Sequence, residues 1–194
     1  TLRDAKVVVN LSAVDVNDFS TATIGVNQDY LKDIENIKGT IQSDTLAGNS
    51  LDNTLHAHQG TNDTLIGSSG DDYLVGSSDG QTVFKAGVVS TAAGDFSVSS
   101  GDDGSNTYEG FGSDNLLDYS AYASNRTIEV DLHSSNTVTK KLNGDIASAK
   151  TDTITNITNI TNITGGAGAD TIIGSSAQNN TLKGGAGNDT ISGG

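Results

Sequence analysis

Two aspartates nineteen residues apart, Asp170 and Asp189, occupy the same place in one phrase, Gly-Gly-x-Gly-x-Asp-x-Ile-x. The phrase reads GGAGADTII over 165–173 and GGAGNDTIS over 184–192, and the two copies bracket a degenerate one, GSSAQNNTLK, that is one residue longer. Glycine permits the positive φ angles of a tight turn. The aspartate follows that turn as an oxygen ligand, and the residues after it form a very short strand with one side chain inward. Two such units complete one coil, so the aspartate of one turn faces the aspartate two repeats later. Stacked carboxylates and carbonyls suit Ca²⁺, which takes about six to eight oxygens. Asp170 and Asp189 are therefore expected to share one ion, in the best-formed site of the chain.

The same period runs earlier in the chain. GTIQSDTLA (39–47) places Asp44 at position six and Leu46 at eight, and GNSLDNTLH (48–56) carries Asn53 instead. With Ala57 as a spare residue, HQGTNDTLI (58–66) restores Asp63, and GSSGDDYLV (67–75) supplies Asp72. Pairs two repeats apart are Asp44 with Asp63 and Asn53 with Asp72, the first stronger because Asn carries no charge. GSSDGQTVF (76–84) has Gln81 at position six and is expected to bind poorly. After residues 85–100 break the period, GDDGSNTY (101–108) and EGFGSDNLL (109–117) resume it in degraded form, with Asn106 and Asp114 at position six.

These phrases resemble the RTX nonapeptide repeats of calcium-binding bacterial exoproteins. The resemblance implies an all-β fold, a parallel β-roll or β-helix with several Ca²⁺ ions between stacked turns and irregular β segments interposed. It implies that carbonyls at positions two and four complete the shell, here those of Gly166, Gly168, Gly185 and Gly187. It also implies type I secretion, and an irregular lead-in of the form Leu-x-x-Ile-Glu-Asn-Ile at Leu31–Ile37. On this basis the chain is expected to be a calcium-dependent structural segment of a large secreted, surface-attached adhesin. The alternative is the calcium-binding accessory region of a secreted toxin, protease or lipase.

The remaining elements must position these turns. The organisation expected is one elongated domain: a β segment and lead-in (1–38), a first block (39–84), an insertion (85–100), degenerate repeats (101–117), a second β segment and lead-in (118–164) and a last block (165–194). The second segment replays the first, TIEVDL answering VVVNLS and an Ile-Asn-rich run again leading into glycines. That run is expected to stack its Ile residues inward with Asn and Thr outside. Asp152 lies outside the nonapeptide register, and Asp152→Asn is expected to do little.

Composition narrows the function. A net charge of −14 opposes nucleic-acid binding and makes the compact state repel itself until cations arrive. Each repeat buries about one large side chain, so the core is thin and metal binding is expected to supply part of the folding free energy. No apolar run is long enough to span a membrane. Cys and Pro are absent, which excludes disulfides and Cys-based zinc sites. His56 and His58 flank Ala57 without an evident third ligand, and nothing resembles a catalytic constellation. The chain starts without Met and stops as another Gly-Gly opens, so a piece of a longer protein is expected. Its expected partners are calcium, neighbouring domains of that chain and a host-cell or surface ligand.

Overall fold

The computed structural model describes residues 5–15, 17–92, 95–142, 145–156 and 159–194, and over these the chain is a β-roll without α-helix. The local reason is a recurring triplet, a small polar acceptor followed mostly by Thr and then a large apolar residue. β-Branched and apolar side chains favour the extended backbone, and the glycine turn that follows ends most strands within three or four residues. The strands that follow the glycine turns fall alternately into two nine-stranded sheets. Thr45–Ala47, Asp63–Ile66, Thr82–Lys85, Asn115–Asp118, Ile160–Thr164 and Thr181–Lys183 stack in parallel in one sheet. Asn36–Lys38, Thr54–His56, Tyr73–Val75 and Thr107–Glu109 do so in the other, which ends with Thr171–Ile173 and Thr190–Ser192.

Most of the short repeat strands turn one large residue inward, and parallel registration lines these residues into columns. Leu46, Leu65, Phe84, Leu117 and Ile163 are neighbours down one sheet. Leu55, Leu74, Tyr108 and Ile154 are neighbours down the other. All nine are buried to 2% exposure or less.

The interposed segments are regular. Val7–Val14, Ser20–Ile24 and Asn27–Leu31 form an antiparallel meander whose first strand stacks parallel on Thr45–Ala47. Arg126–Asp131, Thr137–Leu142 and Asp145–Thr155 form a second meander whose first strand stacks parallel on Thr171–Ile173. The resemblance between the two halves of the sequence is thus a repeat of topology. The lead-in expected as irregular coil contributes the strand Asn36–Lys38, where Ile37 pairs with Leu55 and starts the second column. The Ile-Asn-rich run is less uniform than expected. Ile160 and Ile163 are buried in one strand with a register shift between them, and Ile157 lies outside the described residues. Residues 85–100 place Val88–Val89 against Val98–Ser99, and Val89, Phe96 and Val98 pack on Ala47 and Ile66, which follow the inward Leu46 and Leu65 and so face outward.

One region departs from a thin core. Ile160–Thr164 pairs directly with Thr181–Lys183, but the opposite sheet holds two further strands, Arg126–Asp131 and Thr137–Leu142, between Asp145–Thr155 and Thr171–Ile173. The chain following Asn115–Asp118 supplies the missing bulk. Tyr119 and Tyr122 are buried there, ring against edge at 5.4 Å, and Tyr108 meets Phe84 in the same way at 5.5 Å.

The columns carry the stability. Leu65→Ala should cost about 2–5 kcal/mol, because a fully enclosed site collapses only partly, whereas Val26→Ala at a 99% exposed position should change stability by less than about 0.5 kcal/mol. Denaturant unfolding in saturating calcium measures both.

Candidate metal-binding turns

The acceptor at the head of each triplet holds two rungs together. One side-chain oxygen accepts the N–H of the equivalent residue in the neighbouring rung: Asp63 from Asp44 at 2.7 Å, Asp72 from Asn53 at 2.8 Å and Asp189 from Asp170 at 2.9 Å. The pairs expected to face each other therefore do. The side chain also folds back over the glycine that opens its own turn. A Cβ at Gly39, Gly48, Gly67, Gly165 or Gly184 would overlap the acceptor five residues later, so these glycines are needed for space and not for φ.

The ladder extends beyond the expected residues. Asn106 accepts from Asp72 at 2.8 Å, and Asp152 accepts from Asn106 at 2.8 Å. Asp152 is fully buried, and the expectation that it is a neutral control is wrong. It missed the nonapeptide register because an antiparallel strand, not a glycine turn, precedes it. Its signal was the triplet Asp-Thr-Ile, shared with Asp170 and Asp189. Asn115, not Asp114, holds the next ladder position, accepting from Thr82 at 2.7 Å. Asp114 is exposed, with φ of 56°. Thr82, not Gln81, pairs with Asp63, because that turn is one residue longer than nine. Ala57 is not spare. Its N–H bonds the Val75 carbonyl at 2.9 Å, as Gly39 bonds His56 at 2.8 Å, so Ala57 opens the turn of Asp63.

The turns opened by Gly39, Gly48, Ala57, Gly67, Gly165 and Gly184 fall into two classes according to the residue after the opening one. In the first, that residue gives its N–H to the acceptor of its own turn: Thr40 to Asp44 at 2.5 Å, Asn49 to Asn53 at 2.7 Å, Gly166 to Asp170 at 2.8 Å. In the second, it is left-handed. His58, Ser68 and Gly185 have φ of 75°, 78° and 97°, and the His58 N–H goes to the His56 Nδ1 at 2.8 Å. The consequence is chemical. Asp63 Oδ2 and Asp72 Oδ2 are buried without a hydrogen-bond partner. The Ser77 hydroxyl beside Asp63 is committed to the Gly60 carbonyl at 2.7 Å and lowers the pKa of Asp63 only weakly. A buried carboxylate oxygen with no donor is costly in proportion to its charge. Burial pushes Asp63 up to about 6. It pushes Asp72 up to about 7, with Asp52, Asp103 and Asp71 adding repulsion. Burial also raises Asp170, with Asp189 adding.

These oxygens fit a hard cation. Among the described residues no three acidic or imidazole side chains converge on one point, so an ion here must draw on backbone carbonyls, as calcium does readily. The last block stacks such carbonyls: Gly166 and Gly168 lie directly against Gly185 and Gly187, closely enough that a Cβ on either of the latter would overlap their oxygens. His56 and His58 stand 6.1 Å apart, ring to ring. Burial, helped by Lys38 and His58, lowers the His56 pKa. The asparagines of the Ile-Asn-rich run brace neighbouring residues: Asn159 and Asn162 donate to the Gly110 and Asp114 carbonyls at 3.3 and 2.6 Å, and Asn156 to Glu109 at 3.2 Å.

Compared with known families, the chain matches the family model described as an RTX calcium-binding nonapeptide repeat, in four copies over residues 48–80, 161–177 and 175–194. No curated protein matches it. The matched stretches contain both orphaned carboxylates and the Asp170–Asp189 pair.

Two outcomes follow from the geometry. A carboxyl whose folded pKa is raised stabilises the metal-free fold below its ordinary value near 3.8, and that stabilisation is lost as pH rises through about 6 for Asp63 and about 7 for Asp72. Calcium competes with those protons, so its folding midpoint should fall to lower calcium between about pH 5.5 and 8; circular dichroism titrations showing one midpoint at both values would contradict this. Gly67→Ala keeps every charge yet should weaken calcium binding as much as Asp72→Asn, by about tenfold (~1.4 kcal/mol), when measured by calorimetry.

Proposed function

From the premise that the chain carries RTX calcium-binding nonapeptide repeats, we propose that it is a calcium-folded structural segment of a large, type I-secreted bacterial surface adhesin. One observation carries the calcium part of this reading: two buried carboxylate oxygens, on Asp63 and Asp72, lack any donor. Asp63, Asp72 and Asp189 would hold the metal at the left-handed turns. Asp44 and Asn53 align the rungs beside Asp63 and Asp72, and Asp170 with the carbonyls of Gly166, Gly168, Gly185 and Gly187 would share the ion of Asp189. Calcium would supply positive charge and oxygen coordination where the chain supplies no donor. The residues themselves set the spacing, exclude water and keep each carboxylate aimed across the turn.

The role follows from the charge balance. At a net charge of −14 the repeats stay open where calcium is scarce, leave the cytosol as a chain and close outside. The work is structural and not catalytic. The organisation proposed is one elongated domain, in which blocks 39–84 and 165–194 take calcium. Two meander-plus-block units in one chain favour a stalk-like adhesin over the secretion module of an enzyme, which needs only one continuous array.

Calcium at millimolar concentration should raise the β signal in far-ultraviolet circular dichroism, reversibly with chelator, and equal Mg²⁺ should not, because Mg²⁺ demands a tight octahedral shell and gives up water reluctantly. Folding by Mg²⁺ to the same extent would reduce the effect to charge screening. Asp170 and Asp189 are proposed to share one ion. The double change to Asn should then cost much less than the sum of the single changes in calcium affinity, with exposed Asp29→Asn as the neutral control; additive effects would separate the two residues into different sites.

A further inference from the structure

Among the described residues Lys140 is the only lysine or arginine buried in the interior. It is 2% exposed, on the strand Thr137–Leu142, whose alternation points Val138 and Lys140 inward. Its Nζ lies 2.7 Å from Asp152 Oδ1, 3.0 Å from Asp103 Oδ1 and 2.7 Å from the Gly104 carbonyl. This is a ladder carboxylate, a second carboxylate and a turn carbonyl around one positive charge. The same donor types are proposed to surround calcium elsewhere in the roll.

The other bonds of the two carboxylates are complete. Asp152 Oδ1 also accepts the Asn106 N–H at 2.8 Å, and its Oδ2 accepts the Tyr119 hydroxyl at 2.8 Å. Asp103 Oδ1 accepts the Tyr122 hydroxyl at 2.7 Å, and its Oδ2 the Gly87 N–H at 2.8 Å. Neither residue has an orphaned oxygen, in contrast to Asp63 and Asp72. The amine is held protonated: burial alone would lower its pKa, but Asp152 and Asp103 more than offset that.

We infer that Lys140 is a resident cation that takes the place of calcium at the rung of Asp103, Asn106 and Asp152, so that the centre of the roll closes without metal. The site sits where the sheet widens and the tyrosine core is thickest, which adds buried rings to the aliphatic columns. The inference rests on the proposed reading of the ladder elsewhere as calcium-binding. Its consequence is directional: a metal-free nucleus spanning about residues 101–155 from which the two calcium blocks fold outward.

Hydrogen exchange of the whole 194-residue chain, followed by mass spectrometry in chelator and in millimolar calcium, tests it. In chelator, peptides covering 103–109 and 137–155 should stay protected while 39–75 and 165–192 lose protection. Lys140→Met keeps the length of the side chain and removes the charge. It should make the central peptides exchange on the order of a hundredfold faster in chelator, as expected for a buried pair stripped of one partner. Wild-type central peptides that exchange in chelator as fast as the blocks would overturn the inference, as would a Lys140→Met chain whose centre stays protected there. Blocks indifferent to calcium, with a centre lost in Lys140→Met, would instead overturn the proposed function and leave the resident cation standing.

Discussion

The structure depends on one bond repeated along its length, from a backbone N–H to the side-chain oxygen of the equivalent residue in the next rung. It fixes the distance between turns, sets the register of each parallel strand and pulls a carboxylate out of water. A neutral acceptor such as Asn106 or Asn115 does this at modest cost. An aspartate does it while bringing a charge, and that charge must be met by a nearby N–H, by a lysine or by a metal. The first two solutions are seen in this one chain. Thr40 and Gly166 supply N–H groups to Asp44 and Asp170, and Lys140 supplies an ammonium to Asp103 and Asp152. Asp63 and Asp72 have neither. There the proposed calcium would supply the missing charge.

The choice among these solutions is made by a backbone angle. His58, Ser68 and Gly185 adopt left-handed conformations that turn an N–H away from the carboxylate. For His58 and Ser68 this conformation is strained, since side chains with a Cβ rarely occupy it. A bound ion repays strain of that kind by removing an uncompensated buried charge. The positions where glycine would be easiest and is absent are thus informative about where the metal is needed most.

Much of this was legible in the sequence, for definite reasons. The glycine spacing and the Asp-Thr-aliphatic triplet specify both turn and strand locally, so the roll, the inward Leu and Ile columns and the stacked Asp pairs could be read directly. Register was legible only where the period is strict. One added residue moved the strand register from Gln81 to Thr82, and the turn of Asp63 opens on Ala57 with six residues to its acceptor where the glycine-opened turns of Asp44, Asn53 and Asp72 have five. Asp114 was misread for Asn115 because both follow Gly110 at nearly the same interval. Asp152 was missed because the nonapeptide was sought instead of the triplet. Lys140 carried a weaker signal: strand alternation places it inward, but nothing local names two aspartates from distant turns as its partners. Long-range pairing of that kind is set by topology, and the second meander had first to be recognised as a regular copy of the first.

The measurement that bears most directly on this account is anomalous diffraction from crystals of the chain grown in calcium, recorded at a wavelength where calcium scatters strongly. Peaks should lie beside Asp63 Oδ2, beside Asp72 Oδ2 and within the stacked turns of the last block, with none between Asp103 and Asp152, where the lysine sits. Absence of metal beside Asp63 and Asp72 in fully calcium-loaded crystals would contradict the claim that their orphaned oxygens are what makes the fold depend on calcium.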